Sequence, residues 1–240
     1  MNTMIDKFEG IYFDFYGTLI DSKYSLTHVW SRIAKRLGVE IDYKDSRIWQ
    51  GVLKQWKFYD EKDYHHNKPT QEQTKELNKI VLDAMGVKVE PGEVVAEEFK
   101  NEFMTGKSFR LNPNCKTTLE QIKSLDLKIG LLSHASPDLC KPVLEKFNLM
   151  KYFDIFVLTS EIETGYMKDE IKVYEIALER MKVDDPKKIM HVGDDLNFDV
   201  KMAKKIGMIP ILFDPRKERS IKDVIIIHDL SEILFYLKGE

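Results

Sequence analysis

Residues that could act as nucleophiles, proton donors or metal ligands occur directly after several apolar segments. Asp14 follows one such segment and precedes Tyr16, Gly17 and Thr18. An aspartate at the end of a buried strand is placed to act as a nucleophile or metal ligand, and the backbone N–H groups of Gly17 and Thr18 could approach a substrate anion. An Asx-turn or a helix cap would use the same aspartate, so Asp14 alone does not decide between these roles.

A serine and a histidine end a second apolar segment. Ser133 and His134 follow Lys-Ile-Gly-Leu-Leu and come just before Ser136 and Pro137, where we expect a helix to begin. A hydroxyl beside the amides of a helix start can hold a phosphate oxygen, but serines there also act as plain helix caps. His134 is compatible with a substrate-binding general acid or with a partly buried hydrogen-bonding side chain.

Three carboxylates, Asp194, Asp195 and Asp199, fall within six residues after a further apolar segment. Such charge density at a strand end is costly unless a cation offsets it, and hard oxygen ligands favour Mg²⁺. A solvated acidic turn is the alternative. Lys168 lies before the helix that precedes this cluster, and only the combination with the other groups distinguishes it from a solvated lysine.

A parallel sheet would bring these groups together. Segments of strand composition alternate with segments of helical periodicity, which is typical of an α/β fold whose sheet is covered on both faces. The predicted strands are 10–15, 127–133, 155–159, 188–192, 209–213 and 224–227. Because parallel sheets bind ligands outside the carboxyl ends of their strands, we expect Asp14, Ser133 and Asp194 to share one edge.

The interval from Leu19 to about Arg110 contains no convincing strand. Apolar residues there recur at helical spacing, and turn residues separate them into several helices. We therefore predict a Rossmann-like parallel sheet core with an inserted all-helical domain. The core would comprise residues 1–20 and 108–240, and the insertion residues 21–107.

Composition argues against several classes of protein. The 37 basic and 40 acidic side chains give a net charge of −3, which does not favour a nucleic-acid-binding face. The aliphatic runs are far shorter than the ~18 apolar residues of a membrane span. The first ten residues lack a secretory signal, so a cytoplasmic location is expected. Cys115 and Cys140 form no CxxC pair, so we expect neither a disulfide scaffold nor a structural zinc site.

Taken in order, the four groups resemble the motifs of the haloacid dehalogenase superfamily of hydrolases. The matching segments are Asp14-Phe-Tyr-Gly-Thr-Leu, Leu-Leu-Ser133, Lys168 before a Val-Tyr helix, and Gly-Asp194-Asp195-Leu-Asn-Phe-Asp199. The helical insertion after the first motif is similar to the first type of cap domain in that family. The resemblance implies a hydrolase that acts on a small molecule.

The resemblance implies a chemical role for the matched residues. Asp14 would attack the substrate and form an aspartyl ester, while Ser133 and Lys168 would hold the transferred group. Asp199 would orient Lys168. A cation and a lysine can neutralise a phosphoryl group enough for an anionic carboxylate to approach it.

A site for Mg²⁺ is also implied by the resemblance. In the family the metal is held by the nucleophile, by the backbone carbonyl two residues later and by acidic residues of the fourth motif. The corresponding residues here are Asp14, Tyr16, Asp194 and Asp195.

Tyr16 departs from the phosphatase pattern of this family, in which a second aspartate usually serves as the general acid. A tyrosine, with a reference pKa of about 10, is a poor general base but can donate a hydrogen bond. The same form resembles the 2-haloacid dehalogenase branch, in which Asp14 would attack carbon without a metal. That branch generally uses a cap arginine, for which Arg47, 33 residues after Asp14, is the nearest candidate and Arg36 is less well placed.

The acidic fourth motif favours the opposite branch, because dehalogenases lack the acidic pair. A Mg²⁺-dependent phosphatase of a small phosphorylated molecule is the preferred hypothesis. A dehalogenase-like hydrolase and a relative that binds a small molecule or protein without turnover are the alternatives. A phosphonate-cleaving enzyme would also lack the second aspartate, but it would need a cap lysine, for which Lys54 is one of several candidates.

The segment from 57 to 68 is rich in polar aromatic residues. The family's cap covers the active site and selects the substrate, so Tyr59, Tyr64, His65 and His66 are candidates for substrate selection. A solvated loop between two helices would have the same composition. A homodimer formed through the cap is also compatible with the sequence.

Overall fold

The computed structural model describes residues 8–64, 69–105, 108–162 and 167–238. The chain divides into two compact units, with boundaries between Asp21 and Ser22 and between Phe109 and Arg110. The unit formed by the two outer parts of the chain contains the parallel sheet, and the unit between the boundaries is helical. Among the described residues, no helix has the length and apolarity needed to cross a membrane.

Eight strands lie in the described residues. They are β1 (Gly10–Phe13), β2 (Ile20–Ser22), β3 (Phe109–Leu111), β4 (Lys128–Ser133), β5 (Ile155–Leu158), β6 (Ile189–Gly193), β7 (Ile209–Phe213) and β8 (Ile225–Ile227). Six of them form one sheet in the order β5-β4-β1-β6-β7-β8, and every neighbouring pair is parallel. The predicted α/β class is confirmed, and the six predicted strands all occur.

The register of the central strands determines which residues meet at the carboxyl edge. Phe13 at the end of β1 lies opposite Leu131 of β4 and Val192 of β6. The next residue, Asp14, leaves the sheet, but its backbone N–H still donates to the carbonyl of Val192 at 2.8 Å. The ends of β1, β4 and β6 therefore bring Asp14, Ser133 and the residues after Gly193 to one edge.

The first predicted strand is too long at its carboxyl end. We expected residues 10–15, but β1 ends at Phe13 because the chain turns directly afterwards. The backbone N–H groups of Leu19 and Ile20 both donate to the carbonyl of Phe15, and that of Gly17 donates to Ile20. This turn leads into β2, which forms a small sheet with β3 where the chain passes between the two units.

Nine α-helices accompany the strands in the described residues. The helical unit contains α1 (Leu26–Arg36), α2 (Ser46–Glu61), α3 (Gln71–Ala84) and α4 (Glu93–Phe99), and the other unit contains α5 (Cys115–Lys123), α6 (Pro137–Lys146), α7 (Ile171–Met181), α8 (Met202–Ile206) and α9 (Ile233–Lys238). A π-helical turn, Leu196–Lys201, leads directly into α8. This turn carries Asp199 and follows the carboxyl end of β6.

Each unit has its own apolar core. In the sheet unit, Tyr12 is fully buried, and its hydroxyl donates to the carbonyl of Ala177 on α7 at 2.8 Å. Cys115 and Cys140 are buried with free thiols. In the helical unit, Trp30 of α1 and Val52 of α2 lie in a core cluster with residues of α3 and α4.

Ile48, Val52, Leu53 and Trp56 recur at helical spacing on α2, but only part of this apolar stripe is buried. Ile48 and Val52 are in the core, as their helical spacing indicates. Leu53 and Trp56 are 46% and 47% exposed. The stripe is wider than the face that packs against the neighbouring helices, so periodicity alone overestimates the buried set.

Candidate active site

A cavity of about 280 Å³ lies at the carboxyl edge of the sheet. Its lining includes Asp14 after β1, Ser133 and His134 at the end of β4, Lys168 before α7, and Asp194 after β6. The structure thus brings together residues from all four predicted motifs.

The Lys168 ammonium group lies between two carboxylates. Its Nζ is 2.6 Å from Oδ1 of Asp14 and 2.5 Å from Oδ1 of Asp199, and all three side chains are buried. Burial by itself would lower the pKa of Lys168, but the charges of Asp14 and Asp199 raise it above its usual value. Lys168 is therefore a fixed cation in contact with Asp14, because a buried charge is tolerated where it is paired.

Asp199 is held from several directions. Its Oδ2 accepts from the backbone N–H of Asp195 at 3.0 Å, and its Oδ1 lies 3.1 Å from Nε2 of His191 in addition to Lys168. Gly193 makes room for it, because a Cβ at that position would lie 2.1 Å from the Asp199 carboxyl carbon. Burial would raise the pKa of Asp199, but Lys168 and His191 hold it below its usual range.

Three carboxylates at this edge form a group that could hold a metal ion. Oxygen atoms of Asp14, Asp194 and Asp199 lie within 4.8 Å of one another. Burial and the charge of Asp199 raise the pKa of Asp194 to about 6. Burial also raises the pKa of Asp14, against the opposing effect of Lys168.

The donor chemistry of this group fits Mg²⁺, which prefers carboxylate oxygens. Both oxygens of Asp199 already accept hydrogen bonds, so Asp14 and Asp194 are the better candidates for ligands. Asp195 does not belong to the close group, because its Oδ1 accepts from the backbone N–H groups of Asn197 and Phe198 at 2.7 and 2.8 Å. Asp195 thus caps the π-helical turn, and its predicted contact with a metal stays a prediction.

Gly17 is required beside Asp194 for two reasons. Its φ is +88°, a conformation that other residues rarely adopt, and a Cβ there would lie 2.5 Å from Oδ2 of Asp194. The predicted contact between its N–H group and a substrate anion is less well supported, because that N–H group donates to the carbonyl of Ile20 at 2.8 Å. Thr18 is buried, and its hydroxyl has no hydrogen-bond partner among the described residues.

The contacts of His134 and Ser133 are local. Nε2 of His134 accepts from the backbone N–H of Lys168 at 2.6 Å, and its ring lies edge-on to Phe198 with centroids 5.1 Å apart. A backbone N–H can only donate, so Nε2 carries no proton, and a general acid acting through this nitrogen is excluded in this arrangement. The Ser133 hydroxyl accepts from the backbone N–H of Ala135 at 3.2 Å.

Three residues near the site carry no sequence signal. Asn112, after β3, donates from Nδ2 to the carbonyl of Thr18 at 2.7 Å. Arg219, in the loop after β7, donates from its guanidinium to the backbone carbonyl of Asp194. His191 lies on β6, two residues before the fourth motif begins at Gly193. Tyr16 is 51% exposed and borders the site cavity and an adjoining cavity that includes Arg219.

The other predicted residues lie in the helical unit. Arg47 pairs with Asp45 at 2.7 Å, and hydrogen bonds from Arg47 lower the pKa of Asp45, the N-cap of α2, to about 2. Arg36 pairs with Glu97 and Glu98. The Tyr59 hydroxyl donates to the carbonyl of Tyr64 at 2.9 Å. His65 and His66 lie outside the described residues, and the substrate roles of Arg47, Tyr59 and Tyr64 stay predictions.

Comparison with known proteins gives consistent matches. The family model described as haloacid dehalogenase-like hydrolase matches residues 8–207. A ribulose-1,5-bisphosphate 5-phosphatase from Halopiger xanaduensis is 34% identical over 108 residues, which cover 45% of this chain and 44% of that protein. The chain thus spans less than half of this relative. A phosphorylated carbohydrates phosphatase from Thermotoga maritima is 26% identical over 83% of this chain and 82% of its own.

A solved structure supports the fold. The crystal structure of a HAD phosphatase from Thermococcus onnurineus superposes with a TM-score of 0.68 at 21% identity, covering 97% of this chain and 99% of that one.

Proposed function

The chain belongs to the haloacid dehalogenase-like hydrolases, and from this membership and the geometry of the site we propose that it is a Mg²⁺-dependent phosphatase of a small phosphorylated molecule. The observation that carries the proposal is the buried Lys168 beside Asp14, with the carboxylate of Asp194 close by. The names of two relatives, the ribulose-1,5-bisphosphate and phosphorylated carbohydrate phosphatases, support the same class of substrate.

The site needs a further cation before it can accept an anionic phosphoryl group, because three carboxylates lie close together beside Lys168. The pKa values of Asp14 and Asp194 are both raised. The positive charge of Lys168 alone therefore does not offset the negative charges of these two carboxylates. Asp14, Asp194 and the backbone carbonyl of Tyr16 would hold Mg²⁺. When bound, the ion would offset the negative charges of the carboxylates and of the phosphoryl oxygens.

The reaction would proceed through Asp14. Its carboxylate attacks phosphorus, the bond to the leaving oxygen breaks, and an aspartyl phosphate forms. The leaving group departs with the bonding electron pair as an oxyanion and takes a proton from solvent. Lys168 and the Ser133 hydroxyl would hold the phosphoryl oxygens, and Asp199 keeps the Lys168 ammonium directed at Asp14. Water then attacks the phosphorus of the aspartyl phosphate, which releases inorganic phosphate and restores the Asp14 carboxylate.

We assign the helical unit, residues 22–109, the function of a cap that selects the substrate. The exposed apolar residues of α2 and the half-buried Tyr59 are the candidates for this selection, whereas Tyr64 is buried with its ring edge-on to that of Tyr59.

A hydrolysis assay tests the proposal. Para-nitrophenyl phosphate has a good leaving group, so its hydrolysis should require Mg²⁺ and should be abolished in Asp14→Asn. Asp184→Asn is the matched control, because Asp184 is an exposed aspartate of the same unit. Loss of activity in both variants, or full activity in EDTA, would contradict the proposal.

The tyrosine two residues after Asp14 favours one second candidate, a 2-haloacid dehalogenase. In that reaction Asp14 would displace halide from carbon, and no metal would be needed. Chloride release from 2-chloropropionate in EDTA, with no phosphate released from phosphate esters, would establish this candidate in place of the phosphatase.

A further inference from the structure

His191 is a buried polar residue that the proposed reaction does not use. It lies on β6, three residues before Asp194, and its side chain is completely buried. Its Nε2 is 3.1 Å from Oδ1 of Asp199, and the same oxygen is 2.5 Å from Nζ of Lys168. His191 therefore reaches Lys168 and Asp14 through a single carboxylate.

The protonation of His191 follows from this contact. Asp199 is ionised beside Lys168, and an ionised carboxylate can only accept, so Nε2 of His191 carries a proton. Burial lowers the pKa of His191, so the ring is neutral and Nδ1 is an acceptor. Nδ1 has no hydrogen-bond partner among the described residues.

This arrangement is unfavourable for stability and therefore needs a reason. A buried acceptor without a partner loses its hydration and gains nothing in return. Leucine would fill a similar volume without an unsatisfied atom. The ring of Tyr174, 5.5 Å away and nearly perpendicular, packs against the imidazole but does not satisfy it.

We propose that His191 is a positioning residue for the Lys168–Asp199 pair, an inference that rests on the proposed function. The Asp195 N–H fixes Oδ2 of Asp199, and the His191 N–H fixes Oδ1. With both oxygens fixed, the carboxylate cannot rotate to follow Lys168, so the ammonium group stays within 2.6 Å of Asp14. Without His191, Lys168 and Asp199 can pair in orientations that leave Asp14.

Two variants separate positioning from packing. His191→Leu keeps an apolar side chain of similar volume but removes the donor, whereas His191→Gln keeps an N–H donor. In metal sites, loss of a residue that orients a ligand typically lowers activity or metal affinity by ~10–100-fold. We expect His191→Leu to lower kcat on para-nitrophenyl phosphate by about that factor with little change in KM, and His191→Gln to recover most of it.

Thermal unfolding completes the test. His191→Leu should have an unchanged or higher melting temperature than wild type, and Met190→Leu on the same strand is the packing control. An unchanged kcat in His191→Leu would overturn the proposal. A lower kcat that is accompanied by a lower melting temperature and is not recovered in His191→Gln would also overturn it.

A measurement without substrate distinguishes this inference from the proposed function. In ¹⁵N spectra of the metal-free protein, His191 should show a protonated Nε2 and an unprotonated Nδ1, and Asp199→Asn should shift the Nε2 resonance. The opposite tautomer would overturn the inference even if the protein is a phosphatase. An inactive wild-type protein with the expected tautomer would instead contradict the phosphatase.

Discussion

Nε2 of His134 accepts a hydrogen bond from the backbone N–H of Lys168 at 2.6 Å. This contact joins the end of β4 to the residue whose Nζ touches both Asp14 and Asp199. Because Nε2 is an acceptor, the neutral ring carries its proton on Nδ1. His134 thus fixes the main chain of Lys168, which differs from the role of general acid that the sequence left open.

Replacing His134 tests whether the hydrogen bond that its Nε2 accepts from Lys168 supports catalysis. His134→Ala removes the acceptor, so the main chain of Lys168 is less constrained and kcat/KM should fall by ~10–100-fold. His134→Asn offers a carbonyl oxygen as acceptor and should retain more activity than His134→Ala. Steady-state kinetics on para-nitrophenyl phosphate check this order. Equal losses in the two variants would show that the hydrogen bond is not the reason.

Two glycines with the same backbone conformation give a matched comparison. Gly17 and Gly38 have φ of +88° and +84°, but a Cβ would meet Asp194 only at Gly17 and would meet nothing within 4 Å at Gly38. Both alanine variants should lose ~1–2 kcal/mol of unfolding free energy from backbone strain. Gly17→Ala alone should also raise the Mg²⁺ concentration needed for half-maximal activity.

Urea unfolding and Mg²⁺ titration of the two glycine variants provide these measurements. If Gly17→Ala loses more unfolding free energy than Gly38→Ala, the difference reports the displacement of Asp194. If the two variants respond to Mg²⁺ alike, Asp194 does not bind the metal as proposed.

Removal of metal should make stability depend on pH. The pKa of Asp194 is raised to about 6 in the metal-free fold, above its ordinary value, so the folded protein binds the proton more tightly than the unfolded chain. The metal-free protein should therefore lose stability as the pH rises from about 4 to about 7. Mg²⁺ should raise the melting temperature more at pH 7 than at pH 5.

Asp194→Asn separates this effect from other titrations. The variant removes the buried charge, so in EDTA at pH 7 it should unfold at a higher temperature than wild type and should gain little from Mg²⁺. Thermal unfolding at both pH values, with Asp184→Asn as the exposed control, checks this. If Asp194→Asn unfolds at a lower temperature than wild type in EDTA, the Asp194 carboxylate does not destabilise the metal-free protein.

Periodicity and strand composition were sufficient to predict the sheet. β4, β6 and β7 are apolar runs buried on both faces, and such runs indicate parallel strands. If the strands run parallel, the residues at the carboxyl ends of β1, β4 and β6 must lie at the same edge of the sheet. The proximity of Asp14, Ser133 and Asp194 therefore follows from patterns that are local in sequence.

Short elements and long-range contacts were not predictable in this way. β2 and β3 have three residues each, too few for a period to show. Asn112 and Arg219 reach the site from loops that no motif marks. The backbone N–H of Gly17 donates to the carbonyl of Ile20. This hydrogen bond depends on how the turn after Phe15 closes, which composition does not determine.

Tyr16 should make the rate depend strongly on the leaving group. The phenol has a reference pKa of about 10, so at pH 7 it is a weaker proton donor than a carboxylic acid tuned to that pH. Nε2 of His134 carries no proton to give, and the Lys168 ammonium is held by two carboxylates. We expect kcat/KM for aryl phosphates to fall steeply as the pKa of the leaving phenol rises, with alkyl phosphates hydrolysed slowest.

Two substitutions at this position determine whether the phenol contributes. Tyr16→Asp introduces a carboxyl group that can protonate the leaving oxygen, so it should flatten the dependence and raise the rate on alkyl phosphates by ~10²-fold relative to aryl phosphates. Tyr16→Phe should leave the steep dependence unchanged. The measurement is kcat/KM for a series of aryl phosphates at saturating Mg²⁺. A shallow dependence in wild type that becomes steep in Tyr16→Phe would instead show that the Tyr16 hydroxyl offsets the charge on the leaving oxygen, as a proton donor does.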